Sequence, residues 1–308
     1  MDFHALGWVQ VSIVIKTYQK GEAMEKKKLM VHDFVRMKQE GQKITWITSY
    51  DYPTAQFAEA AGIDMILVGD SLGMCVYGYD STVPVTMDQC IVHCEAVRRA
   101  APNTFVVGDM PLGSYQVSDE EAARNAIRFI KEAGVDAIKL EGGKRVISRI
   151  KAILDSGIVV IGHIGLTPQS SGQIGGHKAQ GRTAESARLV IEDALAIEEA
   201  GAQMLLIEAV PPEVSGFIAR KLKIPVLSIG AGADCDGQLL IISDLIGQFT
   251  AFTPKFVKRY ANVAEVVTNA LKEYIKDVQS GAFPTDAHCY HMIKGEEERL
   301  REVIKEYE

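Results

Sequence analysis

The chain has 308 residues, 47% of them apolar, enough for one large α/β domain or two ordinary ones with a substantial core. A net charge of −7 with no concentrated basic face excludes a general nucleic-acid binder, because neutralising phosphates takes such a face. The five cysteines (Cys75, Cys90, Cys94, Cys235 and Cys289) form no CxxC pair, which argues against a disulfide framework or structural zinc site and for the reducing cytoplasm.

Residues 1–23 differ from the rest. Leu6 to Ile15 is mostly apolar, yet too short for a membrane span and without the basic residues that precede a signal core. The segment is expected to be a disordered tail or upstream read-through, with Met24 opening the chain proper. An amphipathic run then leads to Lys38.

From residue 44 a strand-then-helix unit repeats, with strands expected to begin near residues 44, 64, 104, 135, 158, 203, 225 and 238. Helix starts are legible at Asp51 with Pro53 inside the first turn, and in the capping boxes of Thr86 with Gln89 and Ser118 with Glu121. Helix stops are legible at Ala61-Gly62, Ala133-Gly134, Ser156-Gly157 and Ala200-Gly201, since glycine tolerates the left-handed position after a helix. A last helix should run to about residue 280, and Glu296 to Glu308 reads as a charged amphipathic tail helix. The strands are continuously apolar, as expected when helices cover one side and packed side chains fill the other. Eight of them predict an α/β protein with a single (β/α)8 TIM barrel over residues 24–308, including the helical tail. A doubly wound open sheet is the rival; it concentrates its site at one switch point, whereas polar tips here occur on strands throughout. Gly230 to Gly237 is too short for a crossover helix and fits the barrel poorly.

Those tips are Asp70, Asp109, Glu141 with Lys139, His163, Glu208 and Asp244. Parallel strands with helical crossovers put their C-terminal ends on one face, where such residues can share a pocket. Three carboxylates (Asp70, Asp109 and Glu141) repel unless a cation intervenes, and Mg2+ is the first candidate; the plainer alternative is that each caps a helix or pairs with a lysine. Lys139 and Glu141 point to the same side of their strand, so the ammonium is placed to hold a substrate carboxylate or steady an oxyanion. Close carboxylates would keep it charged, which disfavours a Schiff base. His163 is open between metal ligand, acid-base group, core residue and substrate donor, with substrate binding preferred. Glu208, flanked by Ile207 and Ala209, suits a general base or else an ion pair. Asp51 is better explained as a helix cap, and Asp244 as a cap or pocket wall. Gly230-Ala231-Gly232 is too weak a signal for a phosphate cradle. Two long connections, Ser71 to Val85 and Gly165 to Arg182, read as lids or substrate walls.

Several runs together are specific. Thr48-Ser49-Tyr50-Asp51, Val68-Gly69-Asp70-Ser71-Leu72-Gly73-Met74, Val83-Pro84-Val85-Thr86 and Lys139-Leu140-Glu141-Gly142-Gly143 come first. They are followed by Gly162-His163-Ile164-Gly165-Leu166-Thr167-Pro168-Gln169, Gly175 to Arg182, Ile229 to Gly232 and Asp236-Gly237-Gln238. In these the chain resembles the ketopantoate hydroxymethyltransferase family over roughly residues 30–291. The resemblance implies a cytoplasmic enzyme of pantothenate and coenzyme A synthesis, a (β/α)8 barrel of the phosphoenolpyruvate mutase and isocitrate lyase superfamily that assembles as a homodecamer. It implies Mg2+ on Asp70, Asp109 and Glu141, the 2-oxo acid on Asp70, Ser71, Asp109 and Lys139, and Glu208 as proton acceptor. The implied reaction moves a hydroxymethyl group from 5,10-methylenetetrahydrofolate to 3-methyl-2-oxobutanoate through a metal-stabilised enolate, giving 2-dehydropantoate. No folate pocket is legible; the Gly165 to Arg182 loop is a candidate wall. One rival is a lyase of the same superfamily, whose members often carry a reactive cysteine on a catalytic loop; Gly165 to Arg182 contains none. The other is a 2-oxo-acid binder or assembly scaffold without turnover.

Overall fold

Apolar runs without alternation can be buried on both faces only in a helix-wrapped parallel sheet. The computed structural model, which describes residues 27–176 and 178–308, closes such a sheet into a barrel. The expectation for residues 1–23 lies outside the described residues. Eight parallel strands pair in sequence order and the last returns to the first. They are β1 (Ile44–Thr48), β2 (Met65–Val68), β3 (Phe105–Asp109), β4 (Ala137–Glu141), β5 (Val160–Gly165), β6 (Met204–Glu208), β7 (Val226–Ile229) and β8 (Gly237–Leu240). The open sheet is thereby excluded, because β1 has neighbours on both sides.

Alternation along each strand splits the core in two. Trp46, Met65, Leu67, Phe105, Val107, Ile161, Met204, Leu206 and Leu227 fill the barrel, while Ile66, Val106, Ile138, Leu140, Val160, Leu205 and Val226 face the helices. Helix α1 (Val31–Gln39) plugs the N-terminal end with Phe34, fully buried and 5.2 Å edge-on from Phe105. The wrapping helices are α2 (Tyr52–Ala60), α3 (Met87–Ala100), α4 (Asp119–Ala133), α5 (Ile147–Asp155), α6 (Ala184–Glu199) and α7 (Pro212–Lys221). Asp51 accepts the Thr54 N–H and Thr86 and Gln89 form a reciprocal box, both as read, whereas Ser118 accepts the Glu121 N–H as a simple cap without the return bond from Glu121 that a box requires. Helix α4 stops at Gly134, whose φ of 65° a side chain would resist.

No helix separates β7 from β8, as the short Gly230 to Gly237 stretch required. The run Leu239 to Ser243 is not one strand delivering Asp244. The ladder ends at Leu240, where the Thr48 hydroxyl takes the Ile242 N–H at 3.2 Å, and Asp244 falls in a single turn of helix, Ile242–Leu245. The chain then leaves the barrel through α8 (Val263–Ser280) and α9 (Glu297–Lys305), neither of which buries a residue. Helix α8 exposes Val266, Val267, Leu271, Ile275 and Val278.

Candidate active site

The alternation that sends Ile138 and Leu140 outward turns Lys139 and Glu141 into the barrel, each about 2% exposed. Strand register then sets their neighbours: Asp109 lies beside Lys139, and His163 beside Glu141. The Lys139 Nζ stands 2.8 Å from Asp109 Oδ1, 3.4 Å from Glu141 Oε1 and 3.4 Å from His163 Nδ1. The His163 imidazole bridges onward, with Nδ1 3.5 Å from Glu141 and Nε2 3.3 Å from Glu208 Oε2. Asp70, just past β2, donates its backbone N–H to Asp109 Oδ2 at 3.0 Å. Six of the predicted residues thus form one cluster, five of them buried and Glu208 partly so.

Ser71 stands at its edge, its Oγ 2.8 Å from the Tyr50 hydroxyl. Gly69 separates Ser71 from the cluster; a Cβ there would meet Ser71 Oγ at 2.8 Å and Asp109 Oδ2 at 3.6 Å. Gly165 is equally constrained. Its φ is 89°, and a Cβ would strike the Glu208 carbonyl oxygen at 2.2 Å, so glycine lets the loop after β5 cross against β6. Ala209, next to Glu208, takes a φ of 48°, a strained conformation of the kind found at functional sites. Asp51 caps α2 and Asp244 lies toward Cys75, so neither joins the cluster.

Gln169 was missed by the sequence reading. It donates its backbone N–H to Glu141 Oε2 at 3.1 Å and its side-chain amide to Asp70 Oδ2 and the Met110 carbonyl, both at 2.9 Å. Its oxygen accepts from the buried Tyr115 hydroxyl at 2.7 Å. Its signals in the sequence were its place at the end of the run Gly162 to Gln169 and in the long loop after β5, and neither says where a loop side chain points.

Burial and the neighbouring Asp109 charge push the Asp70 carboxyl well above the ordinary range, and burial raises Asp109 against the pull of Lys139. Burial works against ionised Glu141 as well, but Lys139, His163 and the Gln169 N–H outweigh it and lower its pKa. Lys139 is held charged because three carboxylates overcome its desolvation. Burial and Lys139 oppose protonation of His163, yet Glu141 and Glu208 as acceptors raise it to about 9. Asp109 Oδ1 and His163 Nε2 meet their partners at ion-pair distance without hydrogen-bond alignment; distance governs their charge state, and the misalignment leaves capacity for a ligand.

Fully ionised, four carboxylates would face two cations, a deficit equal to one divalent ion. Oxygen donors and that deficit match Mg2+ in donor type and charge, not in position. Among the described residues no three His, Cys, Asp or Glu side chains close on one ion position, since the Lys139 ammonium lies between Asp109 and Glu141.

A family model described as Ketopantoate hydroxymethyltransferase matches residues 28–286. The chain belongs to that family. A 3-methyl-2-oxobutanoate hydroxymethyltransferase from Alkaliphilus metalliredigens (strain QYMF) is 66% identical over 272 residues, covering 88% of this chain and 96% of that protein. The ketopantoate hydroxymethyltransferase family also includes the Bacillus subtilis (strain 168) relative of the same name, 51% identical over 84% of this chain and 94% of its own. Among solved structures, a phosphonopyruvate hydrolase in complex with oxalate and Mg++ superposes with a TM-score of 0.55 at 16% identity, over 91% of this chain and 99% of that one. A 2,3-dimethylmalate lyase of the PEP mutase/isocitrate lyase superfamily gives 0.54 at 16% identity, over 90% and 99%. These two likenesses, both at 16% identity, show that this hydroxymethyltransferase family member shares their fold.

Proposed function

We propose that the protein is a 3-methyl-2-oxobutanoate hydroxymethyltransferase that uses 5,10-methylenetetrahydrofolate and releases 2-dehydropantoate and tetrahydrofolate for pantothenate synthesis. The observation that carries this reading is the line Lys139–His163–Glu208, a fixed cation at one end and a carboxylate at the more open end. Lys139, Asp109, Asp70 and Ser71 line the place where the 2-oxo acid binds, with the ammonium receiving its negative charge. Glu208, whose side chain is 15% exposed against 1–3% for Glu141, Lys139 and His163, is the group able to reach a substrate carbon. It accepts the C3 proton, and His163 holds its carboxylate in place. As charge moves onto the keto oxygen, the buried Lys139 ammonium is the fixed positive charge that steadies it. Asp70, Asp109 and Glu141 would hold Mg2+, which when bound supplies Lewis-acid polarisation of the carbonyl. Overall one carbon–carbon bond forms at C3 and the methylene leaves both folate nitrogens. Those nitrogens gain the C3 proton and one proton of water, whose hydroxyl completes the new group.

The exposed apolar faces of α8 and α9 support a homo-oligomer, with the decamer as the expected form. Among the described residues no helix is long and apolar enough to cross a membrane, and all five cysteines are free thiols, which supports a cytoplasmic location. The deciding assay is one-carbon transfer from methylenetetrahydrofolate to 3-methyl-2-oxobutanoate with and without Mg2+. Product that depends on the metal is expected; no product with metal present defeats the reading and leaves the binder or lyase alternatives.

A further inference from the structure

Asp70, Asp109, Lys139 and His163 are each 4% exposed or less, so a ligand several times larger than a keto acid needs space outside the cluster. A cavity of about 420 Å3 opens beside it, between the segments that follow β3, β4 and β5, inside the roughly 300–1,000 Å3 range of small-molecule sites. Its deep end is formed by Glu141, Gln169 and Tyr115, so it abuts the groups that hold the acid. Leu112 and Val146 give it apolar walls and Gln116 an amide, a combination suited to a flat heteroaromatic ring with polar edges. Its outer end carries Arg145 and Arg149.

The two arginines differ in how they are neutralised. Arg149 pairs with Asp119 at 3.2 Å. Arg145 donates to two neutral partners, Gln173 Oε1 and Ser170 Oγ, both at 2.6 Å, and has no carboxylate partner among the described residues. A guanidinium held in place and left unneutralised at the mouth of a cavity is a receptor for an anion.

Resting on the transferase reading above, we propose that this cavity is the co-substrate subsite. The reduced pterin lies toward Tyr115 and Gln169 with its one-carbon unit facing the keto acid, and the glutamate carboxylates reach Arg145. The ligand's length then runs from the buried end to the exposed end, the only direction in which a neutral ring meets the amides and an anionic tail meets a cation.

The test pairs two probes with three variants of the full-length protein. Tetrahydrofolate carries the glutamate; tetrahydropteroate lacks it. Arg145→Gln is expected to weaken tetrahydrofolate binding and raise the KM for methylenetetrahydrofolate at least tenfold, with tetrahydropteroate binding unchanged within twofold. Arg145→Lys keeps the charge but loses the fork to Ser170 and Gln173, and should recover most of the loss, which a purely structural role would not allow. Arg145 also borders a second cavity of about 400 Å3, so Leu112→Trp, which intrudes only on the first, should abolish binding of both probes. Equal loss of both probes in Arg145→Gln, or normal binding in Leu112→Trp, overturns the subsite. Deuterium exchange at C3 of 3-methyl-2-oxobutanoate, which needs no folate, separates the two claims. If the wild type makes no product yet binds tetrahydrofolate through Arg145, the transfer reading fails and the site stands. If it makes product while the variants bind normally, the site fails alone.

Discussion

At the scale of single residues, the site is a contest between burial and charge. Removing Lys139 as Lys139→Met would leave Asp109 and Glu141 facing each other without a counter-charge, and breaking a buried pair in this way costs about 3–5 kcal/mol. A denaturant titration without added metal should show a loss of that order; unchanged stability would mean the ammonium is not what holds the carboxylates. Glu208→Gln is expected to keep keto-acid binding but lower solvent exchange of the C3 hydrogen by about 100-fold or more, the usual worth of a positioned base. Exchange at the wild-type rate would remove Glu208 from the role. Asp70→Asn and Asp109→Asn should each weaken Mg2+ binding in a calorimetric titration, since each removes an oxygen donor and part of the excess negative charge. Normal titration in both would place the ion elsewhere.

At the scale of elements, strand alternation does most of the positioning. The same pleat that packs Ile138 and Leu140 under the helices delivers Lys139 and Glu141 inward, and the parallel register sets Asp109 and His163 beside them. Lys139 and Glu141 were legible because their spacing is a property of one strand. Gln169 was not, because its contacts depend on a loop folding back over two other strand ends. Asp244 was misplaced for a related reason: an apolar run does not record that a side chain on another strand, Thr48, ends its ladder. Helix α1 contributes at the opposite end, where Phe34 fills the barrel floor. Phe34→Ala should cost about 3–5 kcal/mol by thermal or chemical denaturation, the range for emptying a buried aromatic site. A negligible loss would mean that α1 covers the barrel without filling it.

At the scale of the whole molecule, the barrel is complete in strands but its last helices turn an apolar face to solvent. Val267, Leu271 and Ile275 on α8 are each at least half exposed, an arrangement that a second copy of the chain would relieve. Leu271→Glu combined with Ile275→Glu is expected to reduce the assembly measured by light scattering while the far-ultraviolet spectrum stays that of a folded barrel. An unchanged mass would locate the subunit contact on another face. The order of strands and wrapping helices, the caps at Asp51 and Thr86, the tips other than Asp244 and the absence of a crossover before β8 followed from the amino-acid sequence, because each depends on local periodicity or backbone preference. The tertiary structure alone decided which tips share a cluster, that an ammonium lies between two carboxylates, and that Gln169 ties three of the loops together. Those facts depend on distances across the barrel, and distances between strands far apart in sequence are set by closure of the sheet, which no local pattern encodes.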